Sequence, residues 1–159
     1  MPRTSAGIVP FRYDAGALNV LLVHPGGPFW ARKDAGAWSI PKGQHDPGED
    51  PLEAALRELA EETGADVSAI DRSTVVALGT ATQKGGKVVS AWAAELDLEA
   101  STIASNTFVI EWPPGSGREQ QFPEVDRAEW LDLEAARTKI NPAQAELLDR
   151  LQAALASTG

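Results

Sequence analysis

Apolar residues along the chain alternate between two periods. Ser5–Phe11 (SAGIVPF) and Leu18–His24 (LNVLLVH) are short apolar runs rich in branched side chains, and the YDAGA segment between them supplies turn chemistry at Asp14 and Gly16. They predict two strands. Residues 25–36 (PGGPFWARKDAG) carry too much Gly and Pro for regular structure, Ala37–Ile40 reads as a brief strand, and PKGQHDPGEDP reads as a loop. A helical period then takes over. On a helix turning roughly 100° per residue, Leu52, Ala55, Leu56, Leu59 and Thr63 share one face. Asp50 is placed as N-cap, Pro51 suits the first helical position, Glu53 completes a capping box, and Gly64 suits the left-handed position after the last turn.

Strand patterns return at Thr74–Thr82 and Lys87–Leu96, joined across Gly85-Gly86, a dipeptide that favours a tight hairpin. Thr107–Trp112 is a further strand, residues 113–123 (PPGSGREQQFP) read as a flexible surface loop, and Ala128–Leu131 is a last short strand. Leu133–Ile140 and Ala143–Ala156 predict two helices, broken at Asn141-Pro142. With no internal repeat and no linker, residues 1–159 read as one mixed domain, and the length suits a single core.

Composition narrows the function classes. The chain lacks cysteine, so disulfides, thiolate metal sites and cysteine nucleophiles are excluded. No run approaches the ~20 apolar residues of a membrane span, and Met1–Gly7 does not resemble a signal peptide, so the expectation is a soluble, cytoplasmic protein with no membrane partner. The formal net charge of -9 argues against a generic nucleic-acid binder, which needs basic surface to neutralise phosphates. Of that charge, -6 falls within Gly43–Ala65, where seven acids face one base. The acidity is therefore local, and bound divalent cations would offset much of it.

Glu58, Glu61 and Glu62 cluster opposite the apolar face of the helix at i, i+3 and i+4. Carboxylates this close repel one another, so they are either solvated or compensated by cations. Hard oxygen ligands on a rigid helix suit Mg2+ or Mn2+, ions that also take phosphate oxygens as ligands.

The spacing around them decides between those readings. Gly43, five residues, Glu49, seven residues, and then Arg57-Glu58-Leu59-Ala60-Glu61-Glu62-Thr63-Gly64-Ala65 resembles, position by position, the signature of the Nudix hydrolases. The resemblance implies an α+β fold, an α/β/α sandwich whose mixed sheet lies between helices, with the signature forming a catalytic loop–helix–loop. It also implies divalent-metal-dependent hydrolysis of a pyrophosphate bond in a nucleoside diphosphate linked to another group. Glu58 and Glu62 would be the principal metal ligands, Glu61 a further ligand or water activator, and the Gly43 carbonyl a contributor to the metal shell. Arg57 and Glu49 would form an ion pair orienting the loop, with Gly64 ending the helix.

An acid outside the signature commonly completes such a site. Glu124 in FPEVDRAEW is the candidate, as metal ligand or general base, and Glu119 is the runner-up; Glu111 and Glu95 are weaker. Lys42, just before the signature glycine, resembles members acting on dinucleoside polyphosphates or diphosphoinositol polyphosphates, and would contact phosphate or remain a solvated charge. Arg32, Lys33, Lys84, Lys87 and Arg118 lie in or beside loops that would extend a phosphate-binding rim. Phe29 and Trp30 would stack on a base or pack over the core edge, and His24 and His45 have no readable partner.

Two subfamily marks are missing: Ser73–Gln83 holds no proline, and Tyr13 is the only tyrosine. The expected partner is a small nucleotide or polyphosphate, including a nucleoside triphosphate. A homodimer is the family's common assembly. A Nudix-fold module that binds nucleotide without cleaving it is the rival reading.

Overall fold

The computed structural model describes residues 4–158, and everything below concerns those residues. Its central feature is a long first strand, β1 (Thr4–Asp14), whose two faces are both buried as far as Phe11. One edge of β1 pairs in parallel with β5 (Val88–Glu95) along its length. The other edge is shared. Phe11–Asp14 pairs antiparallel with β2 (Ala17–Pro25), while Ser5–Gly7 pairs antiparallel with the short β3 (Lys42–Gln44). The sheet is therefore split between β2 and β3, and the segment from Trp38 to Pro41 fills the fork. Ile8 N–H donates to the Pro41 carbonyl at 3.1 Å, and Ser39 exchanges backbone bonds with Val23 at 2.9 and 3.0 Å.

Strand β4 (Val76–Thr82) pairs antiparallel with β5, and β8 (Val125–Asp132) pairs antiparallel with β2, giving the order β4-β5-β1-β2-β8 with β3 attached to β1. A separate two-stranded ribbon joins β6 (Thr107–Glu111) to β7 (Glu119–Pro123). The sheet lies between helices: Ala6 and Ile8 on one face pack against Leu56 and Leu59 of α1 (Pro51–Thr63). On the other face Val9 and Phe11 join a core that includes Ala136 of α2 (Leu133–Lys139) and Leu147, Leu148 and Leu151 of α3 (Ala145–Thr158). Successive strand residues point to opposite faces, so a single β1 serves two cores. This is the α/β/α arrangement expected from the sequence.

The predicted caps of α1 are present. Asp50 accepts the Glu53 N–H at 3.0 Å, Pro51 opens the helix, and Gly64 closes it at φ 78° while donating its N–H to the Ala60 carbonyl at 2.8 Å.

Several boundaries depart from the sequence reading: β1 runs on to Asp14 and β8 starts at Val125, and other segments differ in kind. Ala37–Ile40 forms only isolated bridges, Val23 to Ser39 and Trp38 to Ile140, because it crosses the fork rather than extending along a strand. The short strand lies instead at Lys42–Gln44, inside the stretch read as loop. Residues 119–123 are strand β7, not loop: the ribbon is exposed on most positions, so it carries no apolar alternation to announce it. Finally, Pro142 opens a 3-10 turn, Pro142–Gln144, from which α3 continues.

Candidate active site

The carboxylates of α1 meet the fork of the sheet. Glu62 Oε1 accepts the backbone N–H of Lys42 at 3.0 Å, so the last turn of α1 is tied to the start of β3. Glu58, one turn earlier, lies over Gly43, where an added Cβ would overlap its carboxyl group. This is a physical reason for glycine at that position: any larger residue would make the Glu58 carboxyl group move from where it lies. Arg57 donates to Glu49 at 3.2 Å and lies 3.5 Å from Glu58 Oε1, so one guanidinium joins the loop before α1 to a helix carboxylate.

Glu124 reaches the same place from β8's side. It stands between β7 and β8, and its backbone is held at both ends: its N–H donates to the Asn106 carbonyl at 2.8 Å and its carbonyl accepts the Gly26 N–H at 2.9 Å. A Cβ at Gly26 would collide with the Pro123 carbonyl, so that approach too requires glycine. Asn106 in turn donates its N–H to the Glu61 carbonyl at 3.3 Å, linking the strand junction to α1. A cavity of about 150 Å3 results, lined by Lys42, Glu62 and Glu124 together with Val23, Pro25, Ser39, Ile40 and Val125.

The electrostatics are those of acids short of a cation. Burial pushes the Glu62 carboxyl up to about 8, against the Lys42 N–H that favours its ionised form and with Glu58 adding repulsion. Burial raises Glu58 as well, followed by the neighbouring charge of Glu61, with Glu124 and Glu49 contributing in the same sense. Burial lowers Lys42, opposed by Glu62. Among the described residues no three acidic or histidine side chains converge into a ready-made metal cage. The donor set nevertheless fits Mg2+ or Mn2+, which keep waters and substrate oxygens in their shell and need only a few carboxylates from the protein. Glu58, Glu62 and Glu124 are hard oxygen donors whose mutual repulsion a divalent ion would relieve.

Other candidates are placed elsewhere. Glu58 and Gly43 lie beside the cavity without lining it, and Glu61, Arg57, Arg32 and Lys84 do not line it either. Glu119 and Glu111 face each other in register on the exposed ribbon, and Glu95 ends β5 beside Phe11. Phe29 is 60% exposed and meets Trp112 edge-on at 5.3 Å, so it does not pack over the core edge. His24 is fully buried, with Nδ1 2.9 Å from Asp126 and Nε2 2.7 Å from the Lys33 carbonyl, a partnership sequence spacing could not reveal.

Sequence reasoning also missed Gln144 and Asn106. Gln144 carried a signal: it is the polar member of the buried series Ile140, Gln144, Leu147, Leu148 and Leu151, whose spacing is helical.

A split mixed sheet with a glycine-backed, glutamate-bearing helix beneath the fork is the Nudix fold. The chain belongs to the Nudix hydrolase family: the model of the NUDIX domain matches residues 1–151. An RNA pyrophosphohydrolase of Rhizobium meliloti (strain 1021) is 33% identical over 128 residues, which is 74% of this chain and 71% of the relative. The crystal structure of a C. elegans Ap4A hydrolase binary complex superposes with a TM-score of 0.65 at 29% identity, covering 98% of each chain. The NUDIX domain of Shewanella oneidensis NrtR, solved with ADP ribose, is similar in fold, with a TM-score of 0.61 at 21% identity over 98% of this chain and 89% of that one.

Proposed function

We propose that the protein hydrolyses a pyrophosphate bond of a nucleoside polyphosphate in a reaction that depends on Mg2+ or Mn2+. The observation that carries this reading is the Glu62 carboxylate, buried beside Glu58, fixed by the Lys42 N–H and opening with Glu124 onto one cavity. Glu58 and Glu62, with the Gly43 carbonyl, would hold the ion, and Glu61, whose charge acts on Glu58, would be a further ligand or water activator. When bound, the ion would neutralise phosphoryl oxygens and lower the pKa of a coordinated water.

The chain's own residues do the rest. Glu124, whose backbone is held by Asn106 and Gly26, would take the proton of the attacking water. Lys42 supplies positive charge where negative charge develops on the phosphoryl oxygens. The Arg57–Glu49 pair keeps the loop before α1 seated against the helix. Val23, Ile40 and Val125 give part of the cavity wall apolar surface, beside which these interactions are stronger than in bulk water.

Two relatives bear on the substrate. A name such as Ap4A hydrolase favours a dinucleoside polyphosphate, and RNA pyrophosphohydrolase brings a 5′-phosphorylated RNA end into the same class. The net acidity disfavours bare polyanions but not a polyphosphate that arrives with its metals. The test is 31P NMR with saturating Mg2+ on diadenosine tetraphosphate, 5′-triphosphorylated RNA, nucleoside triphosphates, ADP-ribose and diphosphoinositol phosphates side by side. Cleavage of a nucleoside polyphosphate is the expected result. Cleavage of diphosphoinositol phosphates alone would replace the substrate class, and no turnover of any member would leave a nucleotide-binding module.

A further inference from the structure

The ribbon β6–β7 stands apart from the main sheet, and a two-stranded hairpin is at best marginally stable alone. It is nevertheless a fixed element. Phe108, Ile110 and Trp112 alternate onto one face, where Phe122 lies across from Phe108 with ring centroids 6.1 Å apart. The loop after β2 lies on that face: a Cβ at Gly27 would meet the Phe108 ring, and Phe29 meets Trp112 edge-on. The turn at the far end is closed by its own hydrogen bonds. Trp112 donates its N–H to the Arg118 carbonyl at 2.9 Å, and its carbonyl accepts from Gln120 Nε2 at 2.8 Å. Gly115 donates its N–H to Glu111 Oε1 at 2.6 Å.

This frame holds aromatic surface in water. Trp112 is only half-buried and Phe29 is 60% exposed. Large apolar side chains kept in solvent on a well-tied frame mark a surface that a ligand or partner covers. Their place narrows which. The ribbon springs from the junction of Asn106 and Glu124, and Phe29 follows closely on Gly26, whose N–H holds the Glu124 carbonyl. At no more than ~3.6 Å per residue, the Phe29 backbone lies within about 11 Å of that bond. A ribose and the phosphates before it carry a base across such a gap. Glu111 and Glu119, paired across the ribbon beside Trp112, oppose a ligand whose backbone continues past the base with further phosphates. A nucleoside that ends there brings none. We propose that Phe29 and Trp112 form a stacking site for the second, terminal nucleobase of a dinucleoside polyphosphate whose phosphates lie at Glu58, Glu62 and Glu124. This assignment rests on the hydrolysis proposed above, and adds to it the far end of the substrate.

Calorimetric titration of the full chain, with Mg2+ and a methylene-bridged diadenosine tetraphosphate that cannot be hydrolysed, reads binding without turnover. The comparison ligand is the same molecule lacking one adenine, so charge and phosphate number are held constant. The second adenine should tighten binding about fivefold or more, the lower end of what one base stacked on an aromatic side chain contributes. Phe29→Ala and Phe29→Leu should erase that gain and Phe29→Trp should keep it. All three should melt close to wild type, because Phe29 is exposed. No gain from the second adenine, or a gain that survives Phe29→Ala or Phe29→Leu, would overturn the assignment. So would a gain confined to the second base of a 5′-triphosphorylated dinucleotide, which would give the surface to RNA. A dimer in sedimentation that Phe29→Ala dissolves, in place of the gain, would give it to a second copy. Equal binding of the two ligands sinks this assignment alone, whereas failure of both to bind sinks the nucleotide reading of the site and this one with it.

Discussion

Glu62 shows most sharply what a single residue does in this fold. Its carboxylate is partly buried, accepts a backbone N–H and is pushed up to about 8, so its charge costs stability that a bound cation would offset. Glu62→Gln keeps an acceptor for the Lys42 N–H and removes the charge. It should retain the fold, lower kcat by about a hundredfold or more, and lose the rise in melting temperature that Mg2+ is expected to give the wild type if it binds the folded state. A variant that kept full activity and the same Mg2+-induced shift would remove Glu62 from the proposed ligand set. Gly43 makes the companion case. Gly43→Ala places a Cβ in the space of the Glu58 carboxyl, and because displacements of about 1 Å cost roughly a hundredfold in rate, kcat should fall on that scale. The φ at Gly43 lies outside the left-handed region, so the loss reports the crowding of Glu58 and not backbone strain. Measuring kcat beside thermal unfolding separates the two.

Helix α1 is the element on which the site hangs, and its boundaries are written in local chemistry. Asp50→Ala removes the acceptor for the Glu53 N–H and should cost about 1 kcal/mol in urea unfolding, with Asp50→Asn or Asp50→Ser close to wild type. Equal destabilisation by all three would show that Asp50 acts by charge alone. Caps, helical period and the apolar face of α1 were readable because each depends on neighbours in sequence. The ribbon β6–β7 was half hidden: Glu119–Pro123 is polar and exposed, so its pairing with Thr107–Glu111 leaves no mark on the pattern. The fork between β2 and β3 was hidden entirely, since it arises from which strand β1 chooses at each end. The same limit applies to the site. The acids of α1 were readable as candidates from spacing, and Glu124 from its place before β8, but neither the Lys42 N–H on Glu62 nor the Asn106 and Gly26 clamps on Glu124 have a local signature.

At the scale of the molecule, the loop of residues 26–36 must be held against distant parts of the chain, since it carries Trp30 to a cavity that Trp38, Gln83 and Gln144 also line. Asp34 does much of the holding. It accepts from Lys139 Nζ at 2.6 Å and from Trp38 Nε1 at 2.8 Å, joining the loop to α2 and to the fork segment, while Gly36 donates its N–H to the Thr138 carbonyl at 3.1 Å. The Lys139 hydrogen bond, then that of Trp38, holds the Asp34 carboxyl below its ordinary 3.8. A depressed carboxyl pKa means that the unfolded chain binds the proton more readily than the folded one, so the stabilisation is complete above 3.8 and is lost as pH falls through the folded value. Asp34→Asn should therefore be less stable than wild type near neutrality, by urea midpoint, and the gap should close in the acid range below 3.8. Because Asp34 is at the surface, raised salt should also narrow the gap near neutrality. A difference in stability that stayed constant from neutral pH down through the acid range would show that the charge of Asp34 contributes nothing to docking, and that neutral contacts such as the Gly36 N–H bond to Thr138 suffice.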